Sequence, residues 1–340
     1  MAEAKIDFAI ITAIEVERRA VCEAFQLSDK DRVFKESGVY WRKSLELNDD
    51  ESYNIVVAQS HDMANVDAAL LVSHVIQHWH PNAILLVGIA AGVDPEKQKL
   101  GDIVVGSDIY YYERGKLTPV GKRPEPFMYR ADATLWNRIR AVPAWTPPNT
   151  LLSPDSTSAN PQILYGVIAS GEKVIANAIV RDEIIAGHRK IQAIEMEGYG
   201  FSAGVWQSFD PIHHLVIKAI CDFGDENKGD DWHTYAASVA AGFTKHFLLD
   251  KPLDPLNISR PSNGKHERIA RLEVRLADCQ EKIRRIQIAI RVYERDLIGI
   301  FPSEEARRSL EYQRMLKQSD LQFLESERDE IQSSLKILQR

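Results

Sequence analysis

The sequence is poor in cysteine, which excludes a disulfide framework. Its 340 residues contain three cysteines, Cys22, Cys221 and Cys279, which are far apart and include no Cys-x-x-Cys pair. Disulfide-stapled domains and zinc knuckles need paired cysteines at short spacings. The chain is therefore expected to fold around a hydrophobic core, and a reducing, cytoplasmic compartment is predicted.

Long apolar runs and an excess of positive charge are also missing. No apolar stretch reaches the roughly 18 residues of a membrane-spanning helix, and the first apolar run is too short for a signal peptide. The formal net charge is −7. Because nucleic-acid and anionic-membrane binders carry basic surfaces, neither class of partner is expected.

What the sequence does contain, over residues 1–250, is an alternation of apolar strands and amphipathic helices. Such strands predict an α/β fold with a mixed or parallel sheet that is covered on both faces. The predicted strands are 8–13, 53–60, 83–93, 102–112, 165–171 and 213–222, and the predicted helices begin near residue 15 and span 65–79, 196–206 and 231–248.

The composition changes after residue 250. Residues 251–265 are rich in Pro, Asn and Ser and are predicted to be a linker. Residues 266–340 are charged and helical, with apolar residues at alternating steps of three and four from Ile269 to Leu297, which is a heptad pattern. A break at 299–305 precedes a second helix. The pattern predicts a helical hairpin or coiled coil for oligomerisation or sensing.

Five segments carry most of the chemistry. In order they are ITAIEVERRAV (11–21), VGIAAGV (87–93), IASGEKVI (168–175), AIEMEGYG (193–200) and VIKAICDFGD (216–225). Their order and spacing resemble the purine nucleoside phosphorylase and methylthioadenosine/S-adenosylhomocysteine nucleosidase superfamily. The effector modules of antiphage systems and fungal immune receptors look most similar. The resemblance implies a phosphorylase/hydrolase-like three-layer fold with a central mixed sheet.

The resemblance also implies roles for five polar residues. Asp222 would protonate purine N7 as the base leaves, and a positioned acid contributes about 10²–10⁴-fold. Glu197 would hold the ribose diol and offset the positive charge that develops on the sugar. Glu17 would activate the attacking water, with Lys218 at the position of the nucleosidase arginine. Glu195 would anchor the loop through hydrogen bonds.

The base and the sugar would meet apolar residues. By resemblance, Met196 would pack on the ribose and Ile175 would lie at the base-recognising position. Val174 stands where the nucleosidases have an aromatic ring, which removes stacking energy on the order of 1 kcal/mol. The small residues Ala90 and Ala91 would let the backbone approach the ligand closely.

A basic segment follows the strand 102–112. Its four cations suit a 5′-phosphate chain better than a methylthio group. They are Arg114, Lys116, Lys122 and Arg123. The preferred interpretation is therefore a purine nucleotide nucleosidase that cleaves ATP to adenine and ribose 5′-triphosphate as an antiphage effector.

Several alternatives stay open. Glu15 rivals Glu17 as the base, and Arg18 or Arg19 could serve phosphate in a phosphorylase. Ile89 supplies no hydroxyl for phosphate, however, which favours water as the nucleophile. The other candidates are a methylthioadenosine/S-adenosylhomocysteine nucleosidase, a purine nucleoside phosphorylase and a non-catalytic nucleotide sensor.

No cofactor is expected, and the resemblance calls for no metal. His61, His74, His78 and His80 match no zinc spacing. Because sites in this superfamily borrow residues across a dimer, a dimer-based homo-oligomer, up to a hexamer, is predicted. An activating protein or a second messenger is also expected, since uncontrolled ATP cleavage would be toxic.

Overall fold

A computed structural model describes residues 5–36, 38–48, 51–119, 121–125, 127–148, 151–155, 160–208, 210–226, 229–256, 264–296 and 304–339. The chain divides into two compact units, Met1–Ile258 and Ser259–Arg340. Among the described helices, none combines the length and the apolar character needed to cross a bilayer.

The first unit is built on a mixed sheet with helices on both faces. The strands are β1 (Phe8–Thr12), β2 (Arg32–Lys35), β3 (Gly38–Asn48), β4 (Glu51–Gln59), β5 (Ala83–Gly92), β6 (Ile103–Tyr111), β7 (Gly115–Thr118), β8 (Gly121–Pro124), β9 (Met128–Arg130), β10 (Ile163–Ser170), β11 (Ile191–Glu195) and β12 (His213–Asp222). The helices are α1 (Glu15–Ala24), α2 (Asn65–Trp79), α3 (Ala133–Ala141), α4 (Ala178–Ala186), α5 (Gly198–Gln207) and α6 (His233–Leu249).

The main sheet has the described order β11-β10-β6-β12-β5-β1-β4-β3-β2, with β9 on β6. The pairs β1–β4, β1–β5, β5–β12, β6–β10 and β10–β11 are parallel. The end of β5 also pairs with β11, antiparallel, through Gly92 and Ala91. This second pairing closes five strands on themselves and gathers the ends of β5, β10, β11 and β12.

Two apolar cores lie on opposite faces of the sheet. Alternate residues of β1 divide between them, with Phe8 facing α1 and α6, and Ala9 facing α2 and α5. The alternation follows from the two-residue period of a strand. The result is a three-layer α/β fold, as the sequence predicts.

The predicted boundaries hold to within a few residues for the long elements, and α2 spans the predicted 65–79. The helix predicted from residue 196 begins later, at Gly198, and the last helix of the unit begins at His233 rather than at residue 231. The antiparallel strands β2, β3 and β7–β9 and the short helices α3 and α4 have no counterpart in the sequence-based prediction.

Residues 251–256, within the predicted linker, are docked on the first unit. Lys251 Nζ lies 2.7 Å from both carboxylate oxygens of Glu51, and the amide of Leu256 donates to Asp7 Oδ1 at 2.6 Å. Tyr53 hydroxyl also bonds to Leu253. We call residues 251–256 the strap, and its docking explains why the first compact unit extends to Ile258.

The second unit consists of α7 (Gly264–Asp296) and α8 (Glu304–Gln339). The two helices pack on each other along the predicted apolar seam, and Cys279 Sγ donates to the carbonyl of Leu324 at 3.3 Å. The buried core of this second unit contains Leu272, Cys279, Ile283, Ile331 and Leu335. Leu297 and the 299–303 part of the predicted break lie outside the described residues.

Candidate active site

Glu17 is held in a buried niche between β1 and β5. It lies in the first turn of α1 and is 2% exposed. Its Oε2 accepts hydrogen bonds from the amides of Ala13 (2.7 Å) and Ile14 (3.1 Å), and its Oε1 accepts one from the amide of Ile89 (2.8 Å). A Cβ on Gly88 would lie 2.0 Å from Oε1. Only glycine at position 88 therefore leaves room for this carboxylate.

The loop between β11 and α5 is organised by Glu195. Its carboxylate accepts hydrogen bonds from the amides of Glu197 (3.0 Å) and Gly198 (2.9 Å), two of the donors that a helix start leaves unsatisfied. Glu197 is 5% exposed, and its Oε1 accepts a hydrogen bond from the amide of Ala64 at 3.1 Å. The loop thus presents Glu197 toward the start of α2.

Lys218 joins these carboxylates into one electrostatic unit. Its fully buried Nζ lies 3.1 Å from Glu197 Oε2 and 3.4 Å from Glu195 Oε2. Burial by itself would lower the pKa of Lys218, but Glu197, Glu195 and Glu17 more than offset it and raise the pKa above its ordinary value. The side chain of Lys218 is therefore positively charged.

The acids respond in the opposite way. Burial raises the pKa of Glu17, opposed by the charge of Lys218 and reinforced by that of Glu197. Burial likewise raises the pKa of Glu195. Three carboxylates and one cation share a desolvated site, which suits a positively charged transition state.

Sequence reasoning missed Asn65 and Ser170, which support this site. Asn65 Oδ1 accepts hydrogen bonds from Ser170 Oγ (3.1 Å) and the amide of Gly200 (2.7 Å), and its Nδ2 donates to the carbonyl of Gly171 (3.0 Å). Ser170 Oγ in turn accepts from the amide of Tyr199 (3.1 Å). The sequence signal that could have indicated this role is an asparagine at the first position of the predicted helix 65–79.

Asp222 ends β12 and lies beside the predicted base contacts. A register shift separates Ile220 from Asp222 in the pairing with β5, so that Asp222 faces Ala91. Bulges of this kind re-aim side chains next to active sites. Asp222 Oδ1 accepts a hydrogen bond from the amide of Gly224 at 2.8 Å, and the Cβ position of Gly224 lies 3.5–3.6 Å from Ile175 and Ala91.

The remaining predicted contacts differ in burial. Ala90 and Ala91 are buried at the end of β5, and Ile175 is 8% exposed. Met196 is half-buried between Glu195 and Glu197. Val174, by contrast, is 53% exposed. Of the two predicted base contacts, Ile175 is therefore enclosed by the protein and Val174 is not.

The structure places the basic segment on the β7–β8 hairpin, directly after β6. Arg114 pairs loosely with Glu125 at 3.8 Å and lies over the Phe127 ring, while Lys116 and Arg123 are exposed. The side chain of Lys122 lies outside what the structure describes. Within the described side chains, no hydrogen bond or ion pair joins this hairpin to the buried carboxylates.

The rivals of Glu17 are separated from it. Glu15 is 59% exposed and pairs with Arg19 at 2.6 Å on the surface of α1. Arg18 Nε donates to Gln59 Oε1 at 2.9 Å, and its guanidinium stacks on Trp41 at 4.4 Å. Among these charged groups of α1, Glu17 is the one enclosed with Lys218 and Glu197.

Comparison with known families agrees with this geometry. A family model described as the Phosphorylase superfamily matches residues 7–248. The match contains every predicted site residue and ends within α6, so α7 and α8 lie beyond it.

Similar curated proteins include several nucleosidases. The chain is 29% identical over 260 residues to the ATP nucleosidase Cap17 of Escherichia coli, covering 70% of this chain and 50% of that protein. It is 28% identical over 223 residues to a 5′-methylthioadenosine/S-adenosylhomocysteine nucleosidase of Mycobacterium tuberculosis, covering 60% and 83%. A death domain-containing ATP nucleosidase of Amphimedon queenslandica is 23% identical over 268 residues, covering 72% and 49%. The chain spans about half the length of the two ATP nucleosidases.

Solved structures share the fold. Futalosine hydrolase of Helicobacter pylori superposes with a TM-score of 0.57 at 18% identity, covering 72% of this chain and 97% of that one. A 5′-methylthioadenosine/S-adenosylhomocysteine nucleosidase of Neisseria meningitidis gives 0.56 at 19% identity, covering 72% and 98%. At these identities the likeness describes the fold alone.

Proposed function

Because the chain belongs to the phosphorylase superfamily, we propose that it is an N-glycosyl hydrolase that cleaves ATP to adenine and ribose 5′-triphosphate. The observation that carries the choice of hydrolysis is Glu17. Its buried carboxylate accepts the hydrogen bond of the Ile89 amide and fills the space beside Gly88. A phosphate nucleophile in this place would need hydrogen-bond donors, and the negative charge of Glu17 would repel it. Water is therefore the nucleophile.

In the proposed reaction each charged group has one task. Glu17 takes a proton from water, whose oxygen forms a bond to the anomeric carbon as the bond from that carbon to the purine nitrogen breaks. Asp222 gives a proton to N7, so that the base leaves neutral. Glu197 accepts hydrogen bonds from the ribose hydroxyls, and Lys218 Nζ, 3.1 Å from Glu197 Oε2, holds that carboxylate in place. The electron pair of the broken bond stays on the purine.

Two observations support a nucleotide as the substrate. Two of the similar proteins are ATP nucleosidases. The exposed cations on the β7–β8 hairpin suit a phosphate chain, as 5′ contacts of this site or of a neighbouring subunit.

The test is chromatography of the bases released from ATP, dATP, adenosine and methylthioadenosine, with Asp222→Asn as the control. Free adenine from ATP, lost in the variant, is expected; tight ATP binding without cleavage would support the non-catalytic sensor.

A second candidate is methylthioadenosine/S-adenosylhomocysteine hydrolysis. It is favoured by the Mycobacterium relative, most of whose length the chain covers. Cleavage of methylthioadenosine with no adenine from ATP would replace the leading proposal with this one. A strict requirement for inorganic phosphate would instead indicate a phosphorylase.

We also propose that the active form is a dimer-based homo-oligomer. Val66 and Leu70 on α2 are 67% and 56% exposed, Met63 just before that helix is 41% exposed, and Trp206 on the adjoining α5 is 43% exposed. Apolar groups in this number on two packed helices suit a subunit interface. Light scattering should show a smaller species for Leu70→Asp, while the matched Ile179→Asp on α4 should leave the mass unchanged.

The biological role we propose is a cytoplasmic effector of antiphage defence. Its support is the resemblance of the site segments to such effectors, and an activating protein or second messenger would act through α7 and α8. Expression during phage infection should lower cellular ATP with the intact chain and not with Glu17→Gln. Unchanged ATP in both cases would reject this role.

A further inference from the structure

Three different metal-ligating side chains meet where β12 ends and α6 begins. Cys221 and Asp222 are the last residues of β12, and His233 is the first residue of α6. One thiol sulfur, one carboxylate oxygen and one imidazole nitrogen from these residues all lie within 4.8 Å of one another. Cys221 Sγ is 3.2 Å from Asp222 Oδ2. Eleven positions separate Asp222 from His233, so no short sequence motif announces the group.

The surroundings of this group favour a cation. A cavity of about 360 Å³ adjoins it, and its lining includes Cys221 together with the carboxylates of Asp222, Asp225 and Asp231. Carboxylates gathered around one cavity attract positive charge. His233 Nε2 is buried, has no hydrogen-bond partner among the described residues, and lies 3.5 Å from Asp230.

The position of the imidazole is set by the packing at the start of α6. The amide of His233 donates to the carbonyl of Asp230 at 3.0 Å, which closes a turn before the helix. Trp232 packs edge-on against Tyr235 with ring centroids 5.5 Å apart. Tyr235 in turn lies over Gly101, where a Cβ would come within 2.6 Å of the ring. This packing at the first turn of α6 therefore fixes the position of the His233 backbone.

We propose that Cys221, Asp222 and His233 bind Zn²⁺ and that the bound ion switches the nucleosidase off. Thiolate, imidazole and carboxylate are the ligands that zinc takes, and three protein ligands leave a fourth position for water. On binding, the thiol releases its proton to solvent and the sulfur bonds to the metal. A carboxylate of Asp222 that is coordinated to zinc cannot deliver a proton to purine N7. The inhibitory part rests on the proposed function, whereas the binding part does not.

Binding is tested without any nucleotide. Isothermal titration of the full chain with ZnCl₂ should show one ion per chain. Co²⁺ as a substitute should give a thiolate-to-metal charge-transfer band in the near ultraviolet. Cys221→Ser should remove the band, and Cys221→Ser and His233→Gln should each weaken zinc binding at least about tenfold, since even indirect partners of a metal site change affinity 10–100-fold. The control is Cys22→Ser, which alters a buried thiol on α1 and should change neither.

Inhibition is tested by the ratio of ATP cleavage with and without Zn²⁺ in each protein. The intact chain and Cys22→Ser should lose activity as zinc is added and regain it with a chelator, whereas the ratio should stay near one for Cys221→Ser and His233→Gln. Absence of stoichiometric zinc binding, or binding that neither variant weakens, overturns the site. Zinc binding with undiminished cleavage overturns the switch, and zinc binding by a chain that cleaves no nucleotide upholds the site and refutes the function.

Discussion

At the residue scale, the site depends on one buried cation. Lys218 is fully buried and neutralises part of the charge of three carboxylates, two of which it contacts directly. A buried charge left without its partner costs far more than an exposed pair contributes. We therefore expect the buried carboxylates to depend on Lys218 for their stability.

Replacement of Lys218 by methionine should lower the free energy of unfolding by about 3–5 kcal/mol, because Glu195 and Glu197 would stay buried and uncompensated. Lys218→Arg, which keeps the charge, should retain more stability. Urea denaturation followed by circular dichroism measures both. The control is Lys173→Ala, which removes an exposed pair with Glu113 and should cost no more than about 1 kcal/mol. Equal losses in Lys218→Met and the control would contradict the argument.

Glu17 and Glu15 provide a matched pair for the catalytic base. Glu17→Gln should lower kcat by about 10²–10⁴-fold, the range of positioned general bases, whereas Glu15→Gln on the exposed face should change it little. Burial raises the pKa of Glu17, and the base must be ionised to accept a proton. As the pH is lowered, activity should therefore begin to fall at a pH higher than the pKa of an ordinary glutamate. Initial rates across pH 4–9 measure both effects. Comparable losses in the two variants would exclude the assignment.

At the element scale, the start of α2 stores backbone strain. Ala64 precedes the helix with φ 85° and ψ 169°, a region adopted almost only by glycine. Its amide donates to Glu197 Oε1, so the strained turn serves the site. Helix α2 also carries Asn65, which links the ends of β10 and α5.

Ala64→Gly should raise the free energy of unfolding by about 1 kcal/mol, since glycine adopts this conformation without steric cost. The control is Ala69→Gly in the interior of the same helix, which should destabilise by a similar amount. Thermal unfolding of the two variants should shift in opposite directions. A loss of stability in Ala64→Gly would show that the turn carries no strain.

At the scale of the whole molecule, the strap 251–256 ties the end of the first unit to its sheet. Asp7 is 1% exposed and accepts hydrogen bonds from Leu256 and Asn54, and Lys251 pairs with Glu51. The strap therefore belongs to the first unit, although its composition resembles that of a linker.

A chain that ends at residue 258 should be more stable than one that ends at residue 250, by at least about 2 kcal/mol. The shorter chain removes the Leu256 amide from Asp7, Leu253 from the Tyr53 hydroxyl and Lys251 from Glu51, and a buried polar group that loses its hydrogen bond costs about 1–3 kcal/mol. Denaturant titration of the two truncated proteins measures the difference. Equal midpoints would mean that the strap contributes no stability.

The amino-acid sequence by itself determined the parallel strands, the long helices and the chemical identity of the carboxylates at the strand ends. These features are local, because the spacing of apolar residues along the sequence directly indicates a buried strand or an amphipathic helix. The antiparallel strands β2, β3 and β7–β9 are partly exposed and rich in charged residues, so they show no clear apolar period and were not predicted, although most of them pair with an adjacent strand.

The resemblance predicted that Glu17, Glu197 and Lys218 share a site, but only the tertiary structure decided which charges are buried and paired. The burial of Glu17 and exposure of Glu15, the contacts of Lys218 with Glu195 and Glu197, and the approach of His233 to Cys221 and Asp222 depend on segments that are distant in sequence. The physical reason is that burial and pairing set the energy of a charge, and neither quantity is a property of the residue or of its neighbours along the chain.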